Sequence, residues 1–265
     1  MDILHIIILA ILQGLTEFLP ISSSGHLILF PQLTNWQDQG LAFDIAVHVG
    51  SLLAVLMYFR HELKQLLTSW LLSLRTGRLT PESKLVWAVG FGTIPVGLIG
   101  LTISVYGWGE QLRSPMIIAN TTILFGLLLW LSDRFGNKKR NEFSLTWKDV
   151  LLIGMAQAIA LIPGTSRSGI TITAALFLGL NRQAAAKFSF LLAIPVIILA
   201  GVSETINLLN QDITVYWQVL WLAVIFSALS AYLCIKVFMD LLDRIGILPF
   251  VLYRLGLGIL LLWMI

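Results

Sequence analysis

The chain has 265 residues, 57% of them hydrophobic and 12% charged, with a mean hydropathy of +0.88, whereas a soluble domain carries roughly 25% charge. This excludes a water-soluble globular protein. The apolar content, a net charge of +3 and a single cysteine, Cys234, also exclude a disordered chain, a basic nucleic-acid-binding domain and a disulfide scaffold. The expected fold class is all-α, a polytopic membrane helix bundle forming one integral domain over 1–265.

In chain order, residues 1–12 are apolar but too short to span. They lack a basic n-region and run into Gln13, Glu17 and Pro20 instead of a small-residue cleavage site, so a removable signal peptide is not expected. The segment 2–30 reads as an apolar helix, a polar Gly/Pro/Ser break and a second apolar helix. Spans of about 20 apolar residues follow at 41–59, 85–105 and 115–131. A second helix–break–helix segment occupies 149–180, and three more spans come at 188–206, 217–236 and 247–265, making six in all. Trp87, Trp130, Trp217, Trp221 and Trp263 lie near span ends, as interfacial anchors do.

Fourteen of the 17 Lys and Arg residues fall in 60–84, 132–148, 182–187 and 236–244, while the connections 106–114 and 207–216 hold only Arg113. The positive-inside rule assigns the basic connections to the cytoplasm. Segment 149–180 then leaves from and returns to the cytoplasmic side, so it is expected to be a re-entrant hairpin with its break near mid-membrane. Irregular backbone at that depth is tolerated only when it is buried in protein or lines a wet cavity. The breaks are therefore where a site is expected.

The two segments also resemble each other. Gln13 and Gln157, Ser22 and Ser166, Ser24 and Ser168, and Gly25 and Gly169 all differ by 144 positions, with Pro20 and Pro163 one out of step. The expectation is a first repeat, 1–132 with hairpin 2–30, and a second, 149–265 with hairpin 149–180. Each has three spans, an odd number, so the second repeat is inverted, an architecture that favours a carrier when taken alone.

In the first break Gln13 and Glu17 share a helical face, Pro20 ends that helix, and Ser22, Ser23, Ser24 and His26 crowd the start of the next leg. The second break contributes Thr165, Ser166, Arg167 and Ser168 at another helix N-terminus. Two N-termini, a set of hydroxyls and a guanidinium suited to bidentate grip describe a phosphate site. The competing reading of Glu17 and Arg167 is a structural ion pair. Secondary candidates are Asp44 and His48, one turn apart, and Arg254 with Tyr253. Arg254 reads either as a functional charge or as a partner of Asp240, Asp243 or a carbonyl.

These motifs resemble the undecaprenyl pyrophosphate phosphatases, the bacitracin-resistance membrane phosphatases of bacteria. The family's Glu/Gln-x-x-x-Glu and Phe-Leu-Pro-Ile-Ser-Ser-Ser-Gly-His segment is matched by Gln13, Glu17, Ser22, Ser23, Ser24 and His26, and its Pro-Gly-x-Ser-Arg-Ser-Gly segment by residues 163–169. The resemblance runs from end to end. It implies a multi-pass plasma-membrane enzyme that hydrolyses undecaprenyl diphosphate to the monophosphate and inorganic phosphate with a divalent cation such as Mg²⁺ or Ca²⁺. The product is the carrier lipid of peptidoglycan synthesis, and bacitracin competes for the substrate. Gln13 departs from members with a second glutamate there, which weakens any two-carboxylate cation site.

The expected mechanism has Arg167 clamping the transferring phosphoryl group and Glu17 either ligating the cation, with Gln13 beside it, or orienting His26. His26 serves as general acid or base, and Ser23 as nucleophile in competition with a metal-activated water. Ser22, Ser24, Thr165, Ser166 and Ser168 orient phosphate oxygens. A lipid-phosphate flippase or phosphate transporter is the alternative.

Overall fold

The computed structural model describes residues 3–23, 25–27, 40–107, 112, 114–209 and 217–265. Among these the architecture is all-helical: α1 (Ile3–Phe18), α2 (Leu41–Tyr58), α3 (Arg60–Thr76), α4 (Pro81–Tyr106), α5 (Pro115–Phe135), a single 3₁₀ turn (Glu142–Ser144), α6 (Trp147–Ile159), α7 (Arg167–Phe177), α8 (Arg182–Leu209), α9 (Trp217–Ile245) and α10 (Leu248–Met264). Helices α2, α4, α5, α8 and α9 are long and apolar enough to cross a membrane. The sixth expected span is α10, apolar but 17 residues long, a rise of about 25 Å.

Helix starts follow the sequence. Thr80 and Thr146 form capping boxes with Ser83 and Asp149, and Pro81 and Pro115 sit at first helical positions, where a missing N–H costs nothing. Helices α8 and α9 run past the apolar windows expected at 188–206 and 217–236, because charged residues from Arg182 to Lys187 and from Lys236 to Arg244 continue the helix beyond the stretch that hydropathy detects. Helix α3 lies in a connection where no element was expected. Its polar residues lower its mean hydropathy, yet Leu67, Leu71, Leu72 and Leu74 are exposed, the composition of a helix lying along an interface.

The surface is inverted relative to a soluble protein. Leu98, Leu101, Leu229, Leu233 and Leu252 are each about three-fifths exposed, while Gln13, Ser51, Gln157, Ser189, Ser227 and Arg254 are fully buried. Polar groups pair inside, as with Ser51 and Ser227 (3.1 Å) and Thr171 and Ser189 (2.7 Å). Helix α1 packs along α9, α6 along α4, α2 on α9 and α5 on α10. The α1–α9 approach requires glycine: a Cβ at Gly14 would stand 2.5 Å from the Ser227 carbonyl oxygen.

Candidate active site at the two helix breaks

Helix α1 stops at Phe18, because Pro20 removes a backbone N–H, and helical backbone resumes at Ser23. The second break separates α6 from α7. Each contains a serine in the left-handed region, Ser22 at φ 74° and Ser166 at φ 70°, a conformation that costs a non-glycine residue about 1–3 kcal/mol. Each serine caps the following leg. Ser22 Oγ accepts from the Gly25 N–H (3.3 Å) and Ser166 Oγ from the Gly169 N–H (3.1 Å). Both hydroxyls, expected to orient phosphate, are thus already engaged with backbone. Ser168 Oγ donates to the Leu19 carbonyl (2.8 Å), joining the breaks, and lies 3.2 Å from Ser166 Oγ. Thr165 Oγ1 is buried and has no partner among the described residues. Ser24, another expected phosphate ligand, lies outside the described residues.

Across this junction Arg167 Nη2 donates to Glu17 Oε1 at 2.9 Å, with side-chain exposures of 13% and 8%, so the pair is largely withdrawn from solvent. Arg167 Nη1 donates to the Ser189 carbonyl (3.3 Å), and the guanidinium lies over the Phe18 ring. The other carboxylate oxygen, Oε2, accepts from Ser23 Oγ (2.7 Å) and from Gln13 Nε2 (2.9 Å). The nucleophile candidate therefore already donates to a group able to take its proton. Gln13 Nε2 is also 3.3 Å from His48 Nε2, which lies 3.9 Å from Glu17 Oε2. Gln13 Oε1 is buried with no partner among the described residues.

Among the described residues His26 is held not by Glu17 but by two other groups. Its Nδ1 faces the Ser22 carbonyl oxygen (2.7 Å), which can only accept, so Nδ1 carries the proton and Nε2 accepts from the Tyr253 hydroxyl (2.6 Å). Tyr253 is the partner that fixes this imidazole, across 227 sequence positions. Asp44 contributes to the site through its backbone: its carbonyl accepts from His48 Nδ1 (2.7 Å).

Arg254 is fully buried and its partners are carbonyls. Nε donates to Thr122, Nη1 to Pro20 and Thr165, and Nη2 to Thr121 and Gly164, at 3.0–3.4 Å. Those five bonds use all five guanidinium N–H groups and clamp both breaks to α5. Gly169 leaves the space, since a Cβ there would stand 2.9 Å from Arg254 Nη1. Thr121 adds a hydrogen bond to the Pro163 carbonyl (2.7 Å). The sequence carries no signal for that role, because threonines in apolar helices ordinarily bond back to their own helix.

No three His, Cys, Asp or Glu side chains converge among the described residues, so a cation here would need amide or hydroxyl oxygens as well. Gln13 presents Nε2 to the Glu17 carboxylate and has an Oε1 with no partner among the described residues, so an amide turned over would supply such an oxygen, and with Glu17 it makes a donor set that fits a hard divalent ion.

Residues 6–260 match the family model described as bacitracin resistance protein BacA. An undecaprenyl-diphosphatase of Nitrosococcus oceani is 59% identical over 264 residues, covering 100% of this chain and 99% of that protein. Undecaprenyl-diphosphatase 2 of Stutzerimonas stutzeri is 57% identical (99% and 98% covered), and an undecaprenyl-diphosphatase of Campylobacter concisus 53% identical (100% and 99% covered). With the match running almost from end to end, the chain belongs to the bacitracin resistance protein BacA family.

Proposed function

We propose that this chain is an undecaprenyl-diphosphate phosphatase of the bacterial plasma membrane, releasing inorganic phosphate and the monophosphate carrier lipid of wall synthesis and so conferring bacitracin resistance. The observation that carries the reading is the continuous chain Ser23–Glu17–Arg167, which brings a hydroxyl, a carboxylate and a guanidinium from two separate breaks into one buried cluster. A structural ion pair needs only the last two. The full-length likeness to proteins named undecaprenyl-diphosphatase supplies the substrate.

In this mechanism the diphosphate lies against the two helix N-termini and Arg167 balances charge on the equatorial oxygens of the terminal phosphoryl group. Ser23 Oγ attacks that phosphorus while its proton passes to Glu17 Oε2. The P–O bond to the bridging oxygen breaks, and undecaprenyl phosphate leaves. Glu17 passes that proton to the departing phosphate. Water then attacks the phosphoserine phosphorus while its proton passes to Glu17 and on to Ser23 Oγ, as the Ser–O–P bond breaks and inorganic phosphate leaves. Direct attack by water activated at Glu17 is the alternative, and ¹⁸O uptake without a trapped phosphoserine would select it. His26, aligned by Ser22 and Tyr253, is positioned to donate or accept a proton at Nε2. Gln13 and Glu17 would hold Mg²⁺ or Ca²⁺, which when bound supplies charge neutralisation at phosphate oxygens.

The membrane arrangement belongs to the same proposal: six crossings, two re-entrant hairpins, inverted repeats and cytoplasmic basic connections. Helices α6 and α7 have 13 and 11 residues, about 20 and 17 Å, each short of a roughly 30 Å hydrocarbon layer. Arg140 supports a shared side for their outer ends, since it pairs with Asp149 at the start of α6 (2.6 Å) and donates to the Leu178 carbonyl beyond α7 (2.8 Å). The repeat is supported by the matching caps at Ser22 and Ser166 and by the exchange of partners in which α1 packs on α9 and α6 on α4.

That symmetry also favours a carrier that moves a lipid phosphate without cleaving it. The deciding experiment is phosphate release from undecaprenyl or farnesyl diphosphate by detergent-purified protein. The enzyme reading expects cation-dependent release that Glu17→Ala abolishes; tight binding with no release would favour the carrier.

A further inference from the structure

Three side chains from α1 and α2 form a compact triangle. Gln13 Nε2 is 2.9 Å from Glu17 Oε2 and 3.3 Å from His48 Nε2, and the last two atoms are 3.9 Å apart. These corners lie on a circle of about 2.0 Å radius, so a cation on the axis through its centre reaches all three at about 2.0 Å or more, within the bonding range of a first-row divalent cation to nitrogen and oxygen. The corner atom of Gln13 is its amide nitrogen, held there by two acceptors. Turning the amide over places Oε1, which has no partner among the described residues, at nearly the same point. The Gln13 amide then becomes the third donor.

His48 has the second feature of a ligating imidazole. Nδ1–H donates to the Asp44 carbonyl (2.7 Å), which fixes the tautomer and aims the unprotonated Nε2 lone pair into the triangle. Resting on the reading of Gln13 and Glu17 as cation ligands, we infer that His48 Nε2 is a further ligand and that the site therefore prefers Mn²⁺ or another first-row transition cation over Ca²⁺. Neutral imidazole suits such metals, whereas Ca²⁺ takes oxygen donors almost exclusively. Where a second carboxylate would make an all-oxygen site, this chain has an amide and an imidazole.

The test uses full-length protein in detergent loaded with Mn²⁺ alone. Pulsed electron paramagnetic resonance should show ¹⁴N coupling of a directly bound imidazole, which converts to the ¹⁵N pattern in protein labelled at histidine and disappears in His48→Gln. Calorimetry should show that variant binding Mn²⁺ about 10- to 100-fold more weakly, with Ca²⁺ affinity nearly unchanged. Glu17-dependent Mn²⁺ binding without histidine coupling, or coupling that persists in His48→Gln, would overturn the inference and leave the Gln13–Glu17 site standing. Mn²⁺ binding indifferent to Glu17→Gln would remove that site and the inference with it.

Discussion

Arg254→Met should fail to accumulate as a folded protein, or should unfold in detergent far below the wild type. The substitution keeps a long apolar stem but deletes all five donors that bind Pro20, Thr121, Thr122, Gly164 and Thr165. Thr121 and Thr122 lie inside α5, where the helix itself satisfies their carbonyls. Pro20, Gly164 and Thr165 lie in the breaks, outside any helix, so the Pro20 and Thr165 carbonyls depend on the guanidinium, while that of Gly164 would keep only a 3.3 Å bond from Thr122 Oγ1. Each buried polar group left unsatisfied costs about 1–3 kcal/mol, which puts the total at several kcal/mol. Arg254→Lys retains the charge with three donors on a single nitrogen and should be intermediate. Thermal unfolding followed by tryptophan fluorescence ranks the three proteins; equal midpoints would mean that Arg254 does not hold the breaks together.

The second large effect is on turnover. Arg167→Ala should stay folded, because its partners Glu17 and the Ser189 carbonyl sit among intact helices, yet lose a factor of about 10² or more in phosphate release, comparable to deleting one donor to a developing anion. The loss should appear mainly in kcat, since charge on the transferring group grows in the transition state. A folded Arg167→Ala protein with near wild-type turnover would relegate Arg167 to a structural ion pair.

Much of this was legible in the sequence because the bilayer imposes a coarse code. Apolar stretches marked all five long helices, and the Pro-Ser and Pro-Gly breaks marked where α1 and α6 end. The residues that meet at the junction, Glu17, Ser23 and Arg167, were each readable from motif chemistry. Burial in lipid makes a lone arginine or glutamate conspicuous, as it did for Arg254, whose carbonyl partners were one of two open readings. What stayed hidden was pairing across long separations. Tyr253 meets His26 over 227 positions and His48 meets Gln13 over 35, and hydropathy carries no information about which faces of two helices will touch. The engagement of Ser22 and Ser166 as caps was obscured for a related reason, since a serine at a helix start reads equally as backbone cap and as phosphate ligand. Helix α3 escaped because charges at both ends and Gln, Thr and Ser among its leucines leave no apolar stretch long enough for a span.

Whether the two breaks build one catalytic centre is decided by a double-mutant cycle on phosphate release. Glu17→Asp and Arg167→Lys are mild enough to leave measurable turnover alone and together. If the carboxylate and guanidinium act as a unit, the double variant should be little slower than the worse single variant, a coupling of about 0.5–3 kcal/mol. Losses that simply multiply would contradict it, showing that each break acts without the other.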